Sequence, residues 1–339
     1  MMKVNFNYEK NPFDYSSGYI FKGKHYRCSY ITYKTRYKNP KMGTEQVQIY
    51  NFKPKGKIFA SSLIVHGLGS SNIKFLIWMG RHLASVGINS TILILPGNYT
   101  RVDDSSVSGR SFLWPEMNQL VQFWENAVVD LRSTLDLLES LDLWKENNIV
   151  IGYCLGGMVS TITAAVDKRI SELVLMTTGG SLPEILYRSP TTKFIRRLID
   201  KGFKTDYNLH DVEYINSIYK KNLDKVKTMS AQEIMESDIH PLFKIDPLSY
   251  AHLVDPKIIT FIEAIFDNTL SRKSRKMLLK EFKGCKYYMI PVGHVTWLPF
   301  EYLLAHYILN KLNIKDSKIR TRLLERDKIS DNFDNFIHK

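Results

Sequence analysis

The sequence predicts an α/β fold: a mostly parallel central sheet with helices on both faces and an inserted helical cap. Three observations predict it. Apolar runs rich in β-branched residues alternate with segments of helical period through most of the 339 residues. One such run ends in "GYCLGG", a glycine-rich turn leading straight into a helical segment. The alternation breaks once, over 181–256, where a long, basic, mostly helical stretch far exceeds a normal strand-to-helix connection.

In chain order, residues 1–45 are polar and aromatic without clear period and read as a lead-in packed on the main sheet. Strands follow at 47–54 and 57–67, from their β-branched and aromatic content. Apolar residues at helical spacing place a helix at 73–87, and Gly87 suits its C-cap. A strand at 88–97 ends in Pro-Gly, and 98–112 is loop-like, rich in Ser, Asp and Gly. Residues 115–140 carry one or two amphipathic helices. "NNIVIGY" is a short buried strand and 155–166 a helix of small and apolar residues. Further strands lie at 170–180, 257–267 and 285–294, with helical patterns at 270–282 and 299–312. The organisation is a core begun by 1–180, a cap at 181–256, the rest of the core at 257–315, and a charged tail at 316–339 that reads as a surface helix or a frayed end.

Composition narrows the function. There are 47 basic and 34 acidic residues, a formal charge of +13, with excess in the first 60 residues and in 188–228. This reads as charge spread over solvated faces. No zinc-finger spacing, Walker-type loop or aromatic-interleaved basic ribbon accompanies it, so no nucleic-acid partner is expected. Three cysteines are not a disulfide framework and point to a reducing compartment. With no apolar leader and no run of roughly 18–20 apolar residues, a soluble, cytoplasmic protein is expected. Neither clustered metal ligands nor a dinucleotide fingerprint occurs, so no metal and no cofactor is expected. The expected partner is a small-molecule acyl substrate, and a homodimer is allowed.

The chemistry centres on Cys154. Gly152-Tyr153-Cys154-Leu155-Gly156-Gly157 ends a strand and begins a helix. A nucleophile in such a turn sits in strained backbone, and its neighbours two places away must be tiny. The turn lifts the sulfur from the sheet and sets it at a helix N-terminus, where the dipole favours a thiolate. A nucleophile also needs an oxyanion site, a base and a group that orients the base. "IVHGLG" ends an earlier strand. Gly67 and Gly69 let its backbone N–H groups turn toward an oxyanion, with the N–H of Leu155 as the second donor and His66 bracing the loop. His294, in a loop after the last strand, is the expected base. Asp267, at a strand end in "FIEAIFDNT", is the expected orienting acid, and Glu263 within that strand reads as an ordinary side chain. Cys28 and Cys285 read as packed small hydrophobes. Trp78, Trp114 and Trp297 could line the pocket but are more often core.

Over roughly 45–310, apart from the insertion, the chain resembles the α/β-hydrolases. The GYCLGG box resembles that of the dienelactone hydrolases, a thiol-nucleophile branch, and more distantly the G-x-C-x-G-G box of polyhydroxyalkanoate synthases. The resemblance implies Cys154 as nucleophile, Asp267 as acid, His294 as base, and Leu68 and Leu155 as oxyanion-hole positions. Dienelactone hydrolases lack a cap such as 181–256, and the other sequence blocks of the synthases are absent here.

Two activities follow. The first is hydrolysis of an ester, lactone or thioester through an acyl-Cys154 intermediate. The second passes the acyl group from the same cysteine to an alcohol or amine, as an acyltransferase, cyclase or polymerase. A binding module without turnover is a third reading, against which the complete nucleophile, acid and base argue. The Tyr, Leu, Ile and Lys of the insertion suit an apolar acyl chain with some anionic character.

Overall fold

In a computed structural model, which describes residues 2–69, 73–296 and 301–325, nine strands form one sheet. In chain order they are β1 (Tyr15–Lys22), β2 (Tyr26–Lys34), β3 (Gln46–Pro54), β4 (Ala60–Val65), β5 (Ile88–Ile94), β6 (Asn148–Tyr153), β7 (Leu173–Met176), β8 (Ile259–Phe266) and β9 (Lys286–Gly293). Their spatial order is β1-β2-β3-β5-β4-β6-β7-β8-β9. The run from β1 through β3 to β5 is antiparallel, and every pairing from β5 to β9 is parallel.

Alternation along the central strands builds two cores. Ile64, Ile92, Ile151 and Val174 point to one face, where α1 (Lys74–Ser85) and α10 (Glu301–Lys311) cover them. Leu63, Leu93, Val150 and Leu173 point to the other, beneath α2 (Met117–Ser140) and α3 (Leu155–Val166). These strands are covered on both faces, so they read as continuous apolar runs. The stretch expected as one or two helices is the single α2.

Between β7 and β8 the chain runs through α4 (Leu182–Arg188), α5 (Lys193–Asp200), α6 (Val212–Val226), α7 (Ala231–Glu236) and α8 (Pro241–Lys244). α9 (Arg272–Glu281) separates β8 from β9. At the C-terminal end, Ser317–Arg320 forms one short helix, α11, and 326–339 lie outside the described residues. Among the described residues no helix is long and apolar enough to cross a membrane.

The N-terminal segment differs from the sequence expectation. Instead of an irregular lead-in, β1 and β2 form a hairpin that extends the sheet from β3. The period was hidden for two reasons. β1 is an edge strand with mostly exposed side chains and a register shift between Tyr19 and Phe21. In β2 the buried positions are Tyr26, Cys28, Ile31 and Tyr33, only one of them aliphatic. Ahead of the hairpin, Val4 and Phe6 are buried, and the Asn5 N–H donates to Glu125 Oε1 of α2 at 2.6 Å.

The loop 98–112 is fixed by a buried charge. The Arg101 side chain is wholly buried and donates to Asp130 Oδ2 at 2.8 Å, to the Ile94 carbonyl at 2.6 Å and to the Thr44 carbonyl at 2.8 Å. Asp130 also accepts from Thr35 and from Asn126. One guanidinium therefore joins β5, the turn before β3, α2 and the loop beside the cavity described below. Asp130→Ala leaves that cation buried without its partner, and a loss of about 3–5 kcal/mol is expected in urea unfolding. Glu9→Ala, which breaks only the exposed pair with Lys38, should leave the midpoint unchanged. Equal, small effects from the two would show that Arg101 is satisfied without Asp130.

Candidate active site

β6 ends at Tyr153 and α3 begins at Leu155, so Cys154 alone makes the turn, at φ 50° and ψ −114°. Such backbone costs about 1–3 kcal/mol and persists only where its surroundings over-determine it. Here they do. The Cys154 N–H donates to the Met176 carbonyl at 3.0 Å, and its carbonyl accepts from Thr178 Oγ1 at 2.7 Å and the Gly157 N–H at 3.1 Å. Closure needs bare backbone on both sides. A β-carbon on Gly156 would lie 2.0 Å from the Val65 carbonyl oxygen, and one on Gly152 would lie 2.7 Å from Gly157 Cα.

The structure brings the other two expected residues to this turn. His294, just past β9, forms a hydrogen bond through Nδ1 with Asp267 Oδ2 at 2.9 Å and another with the Cys154 side chain. With Nδ1 engaged, Nε2 is the ring nitrogen left for the sulfur. The side chain of Asp267 is fully buried, and its Oδ1 accepts from the N–H groups of Thr269 and Leu270 at 2.8 and 3.0 Å. Burial opposes its charge, but the bond to His294 and these amides hold the carboxyl below its usual range. Burial would likewise push His294 down. Its interactions with the Cys154 side chain and the Asp267 carboxylate outweigh burial and carry the imidazole up to about 10.

His66 is placed differently. Its Nε2 accepts from the Leu95 N–H at 2.9 Å, so Nδ1 carries the hydrogen and donates to the Gly67 carbonyl at 2.5 Å. Burial holds its pKa down at about 4, so the ring is neutral. Drawing the Gly67 carbonyl toward His66 turns the Leu68 N–H, on the opposite side of the same trans peptide, the other way. The Gly67 position abuts Tyr153 and Cys154: a β-carbon there would lie 2.8 and 3.0 Å from them. The Leu155 N–H heads α3, where the first amides have no partner within the helix.

Leu68, Gly69, Cys154, Leu155 and His294 line one cavity of ≈ 380 Å³, completed mainly by apolar side chains including Leu113, Met158, Leu182 and Ile185. Asp267, His66, Gly67, Gly152 and Gly156 stand behind this wall. Of the tryptophans, Trp78 packs on Phe75 and Trp114 stacks on Phe194, neither lining the cavity, and Trp297 lies outside the described residues. Glu263 pairs with the buried Arg275 at 2.7 Å. A second apolar cavity, ≈ 420 Å³ between β9 and α10, is lined by no cysteine, histidine or carboxylate. No group of three or more His, Cys, Asp or Glu could hold a metal among the described residues.

Sequence reasoning passed over three supports. The Tyr153 hydroxyl donates to the His294 carbonyl at 2.9 Å, Thr178 holds the Cys154 carbonyl, and Asn98 Oδ1 accepts from the Gly69 N–H at 2.6 Å. Each bond joins residues distant in sequence except for its aim, and no spacing signals it.

The other two thiols, Cys28 and Cys285, are pushed up by burial. Iodoacetamide at pH 6.5 should therefore modify Cys154 first, and His294→Ala should slow that modification at least ~10-fold as the thiolate loses its cationic partner. Peptide mapping by mass spectrometry reads both. Equal labelling of all three thiols would remove the special character of the pair.

No family model matches the sequence, and no curated protein does. Solved structures do. A cold-adapted esterase from an Arctic intertidal metagenomic library superposes at TM-score 0.52 and 14% identity, over 92% of this chain and 99% of that one. Acetyl xylan esterase 1 from Thermoanaerobacterium sp. JW/SL YS485 gives 0.52 at 13% identity over 88% of each chain. Pyrococcus horikoshii acylaminoacyl peptidase gives 0.54 at 13% over 87% of this chain and 43% of its own. At such identities the likeness is one of fold, and with its mostly parallel sheet covered on both sides the chain has the α/β-hydrolase fold.

Proposed function

We propose that this protein is a cysteine-dependent acyl hydrolase acting on an ester, lactone or thioester. The observation that carries this reading is His294 held between Cys154 and Asp267 at the wall of an apolar cavity. The similar solved esterases and peptidase agree with it, since both reactions attack an acyl carbonyl.

The chemistry follows from the placement. The Cys154 sulfur attacks the carbonyl carbon, and the new oxyanion receives the N–H groups of Leu68 and Leu155, each such donor contributing roughly 3–4 kcal/mol. The tetrahedral species collapses as His294 gives its proton to the leaving group, which leaves an acyl-Cys154 thioester. Acylation removes the negative charge that raised His294, so the imidazole becomes a base. It then takes a proton from water attacking the thioester, and the acid and the Cys154 thiolate are released. Asp267 stays ionised throughout and holds the ring's orientation.

Transfer of the acyl group to an alcohol or amine is the second reading. It is favoured by Cys154 being only 7% exposed in a largely apolar cavity, where water is scarce. Intact-protein mass after a brief exposure to p-nitrophenyl esters and acyl thioesters separates the two. Hydrolysis gives product without a lasting adduct. Transfer gives an acyl-enzyme that persists in water and clears on adding an amine or alcohol.

Cys154→Ala should lower turnover of p-nitrophenyl esters by at least ~10³-fold with an unchanged circular dichroism spectrum. Retained turnover in that variant would end the assignment. The pH profile supplies a second check. Asp267 raises His294, so Asp267→Asn should lower the imidazole's pKa and move the alkaline limb of single-turnover acylation to lower pH. An unmoved limb would mean that His294 is not the proton donor.

A further inference from the structure

The insertion carries a second cavity that the acyl reaction leaves unused. It measures ≈ 400 Å³ and is walled by Arg188 at the end of α4 and by Lys193, Arg196 and Arg197 of α5, against a single carboxylate, Asp200. The spacing of 193, 196 and 197 sets three cations on one side of a helix, an arrangement that repels itself. Arg196 donates to the Ser189 carbonyl at 2.9 Å, a neutral partner. Among the described residues, none of the four is in an ion pair. Arg169 and Arg275, by contrast, are matched: Arg169 binds Asp136, Glu139 and Asp167, and Arg275 binds Glu263. Arg188, Lys193 and Arg197 are exposed and Arg196 is half-buried, so four cations outside any ion pair line one open concavity, complementary to a ligand with more than one negative charge.

This cavity shares a wall with the acyl cavity. Leu182, Ile185 and Thr191 face the latter, while Arg188 and Lys193 face the former, so the turn 189–192 lies between them. That turn is pinned. Ser189 Oγ donates to the Thr269 carbonyl at 2.7 Å, and the Thr269 N–H in turn donates to Asp267.

We propose that the cationic cavity receives the phosphate-bearing end of the leaving group of an acyl thioester whose acyl chain lies in the Cys154 cavity. The inference rests on the acyl-Cys154 reading above. Guanidinium groups match phosphate oxygens in pairs, and four cations suit a phosphorylated group better than one carboxylate. The covalent step balances. The Cys154 sulfur–carbonyl bond forms, the substrate's sulfur–carbonyl bond breaks, and the departing thiolate takes the proton of His294. One thioester replaces another, without an oxidant or other co-reactant.

Three thioesters sharing a decanoyl group test it on the full chain: decanoyl-coenzyme A, S-decanoyl-4′-phosphopantetheine and the phosphate-free S-decanoyl-N-acetylcysteamine. Released thiol is the readout. KM for the coenzyme A thioester should lie at least ~10-fold below that of the phosphate-free one, as for charge-assisted recognition. Arg188→Gln with Arg197→Gln should raise it toward the phosphate-free value. The same double variant should leave kcat/KM on the phosphate-free thioester and on p-nitrophenyl decanoate unchanged, which also reports a sound fold. If the phosphopantetheine thioester matches coenzyme A, one phosphate suffices; if it is intermediate, the nucleotide phosphates contribute, and both results support the site. Equal KM for all three, or equal losses on all substrates in the variant, would overturn it. Calorimetry of coenzyme A with Cys154→Ala protein keeps the two readings apart. Binding that the Arg188/Arg197 variant abolishes supports the cavity even if no ester is turned over, and no binding counts against it even if p-nitrophenyl esters are hydrolysed.

Discussion

The first turn of α3 lies directly on the end of β4, closer than any side chain allows. A β-carbon on Gly156 would lie 2.0 Å from the Val65 carbonyl oxygen, and one on Gly152 would lie 2.7 Å from Gly157 Cα. This contact lets the chain reverse from strand to helix within one residue, and that residue is Cys154. Its positive φ follows from the sharpness of the reversal, and hydrogen bonds from β7 and from Thr178 keep it there. Widening the turn by one side chain would lower the sulfur into the sheet and separate it from His294.

The rest of the site is arranged around that fixed sulfur by buried polar groups, each with defined partners. His66 is neutral because it is buried, and neutrality lets it accept from Leu95 and donate to Gly67 at once, orienting the peptide beside Cys154. Arg101 is buried, and Asp130, Thr44 and Ile94 accept from its terminal nitrogens, which anchors the loop 98–112. His294 is charged for a third reason: the anionic groups on its two sides exceed the burial that opposes it. Three cationic or titratable side chains at similar depth thus reach different states, decided by which partners face them.

The segment after β7 lines the cavity beside Cys154 with Leu182 and Ile185 of α4 and gathers cations on α5. That cavity's lining outside this segment comes from the Cys154 turn, α3 and the loops that follow β4, β5, β8 and β9.

Much of this was legible in one dimension. The parallel strands from β4 to β7 and most of β8 are apolar runs between helical patterns because both their faces are buried, whereas β9, at the sheet edge, is largely exposed. The glycines around Cys154 are local requirements of one turn, so both the fold and the place of Cys154 at the turn between β6 and α3 followed from short windows. The order Cys154, Asp267, His294 was readable because each follows the end of its own strand. The β1–β2 hairpin was not readable, since an edge strand exposes most of its residues and its aromatic–polar pattern has no aliphatic stripe. Nor were Tyr153, Thr178 and Asn98 readable as supports, or the convergence of Arg188, Lys193, Arg196 and Arg197 on one cavity. Backbone turns are decided by neighbours in sequence, so the sequence by itself determined the elbow and the strand ends. The pairing of buried polar groups, the charge of His294 and the meeting of the two cavities at 189–192 depend on distances between segments far apart in the chain, and only the tertiary structure sets those.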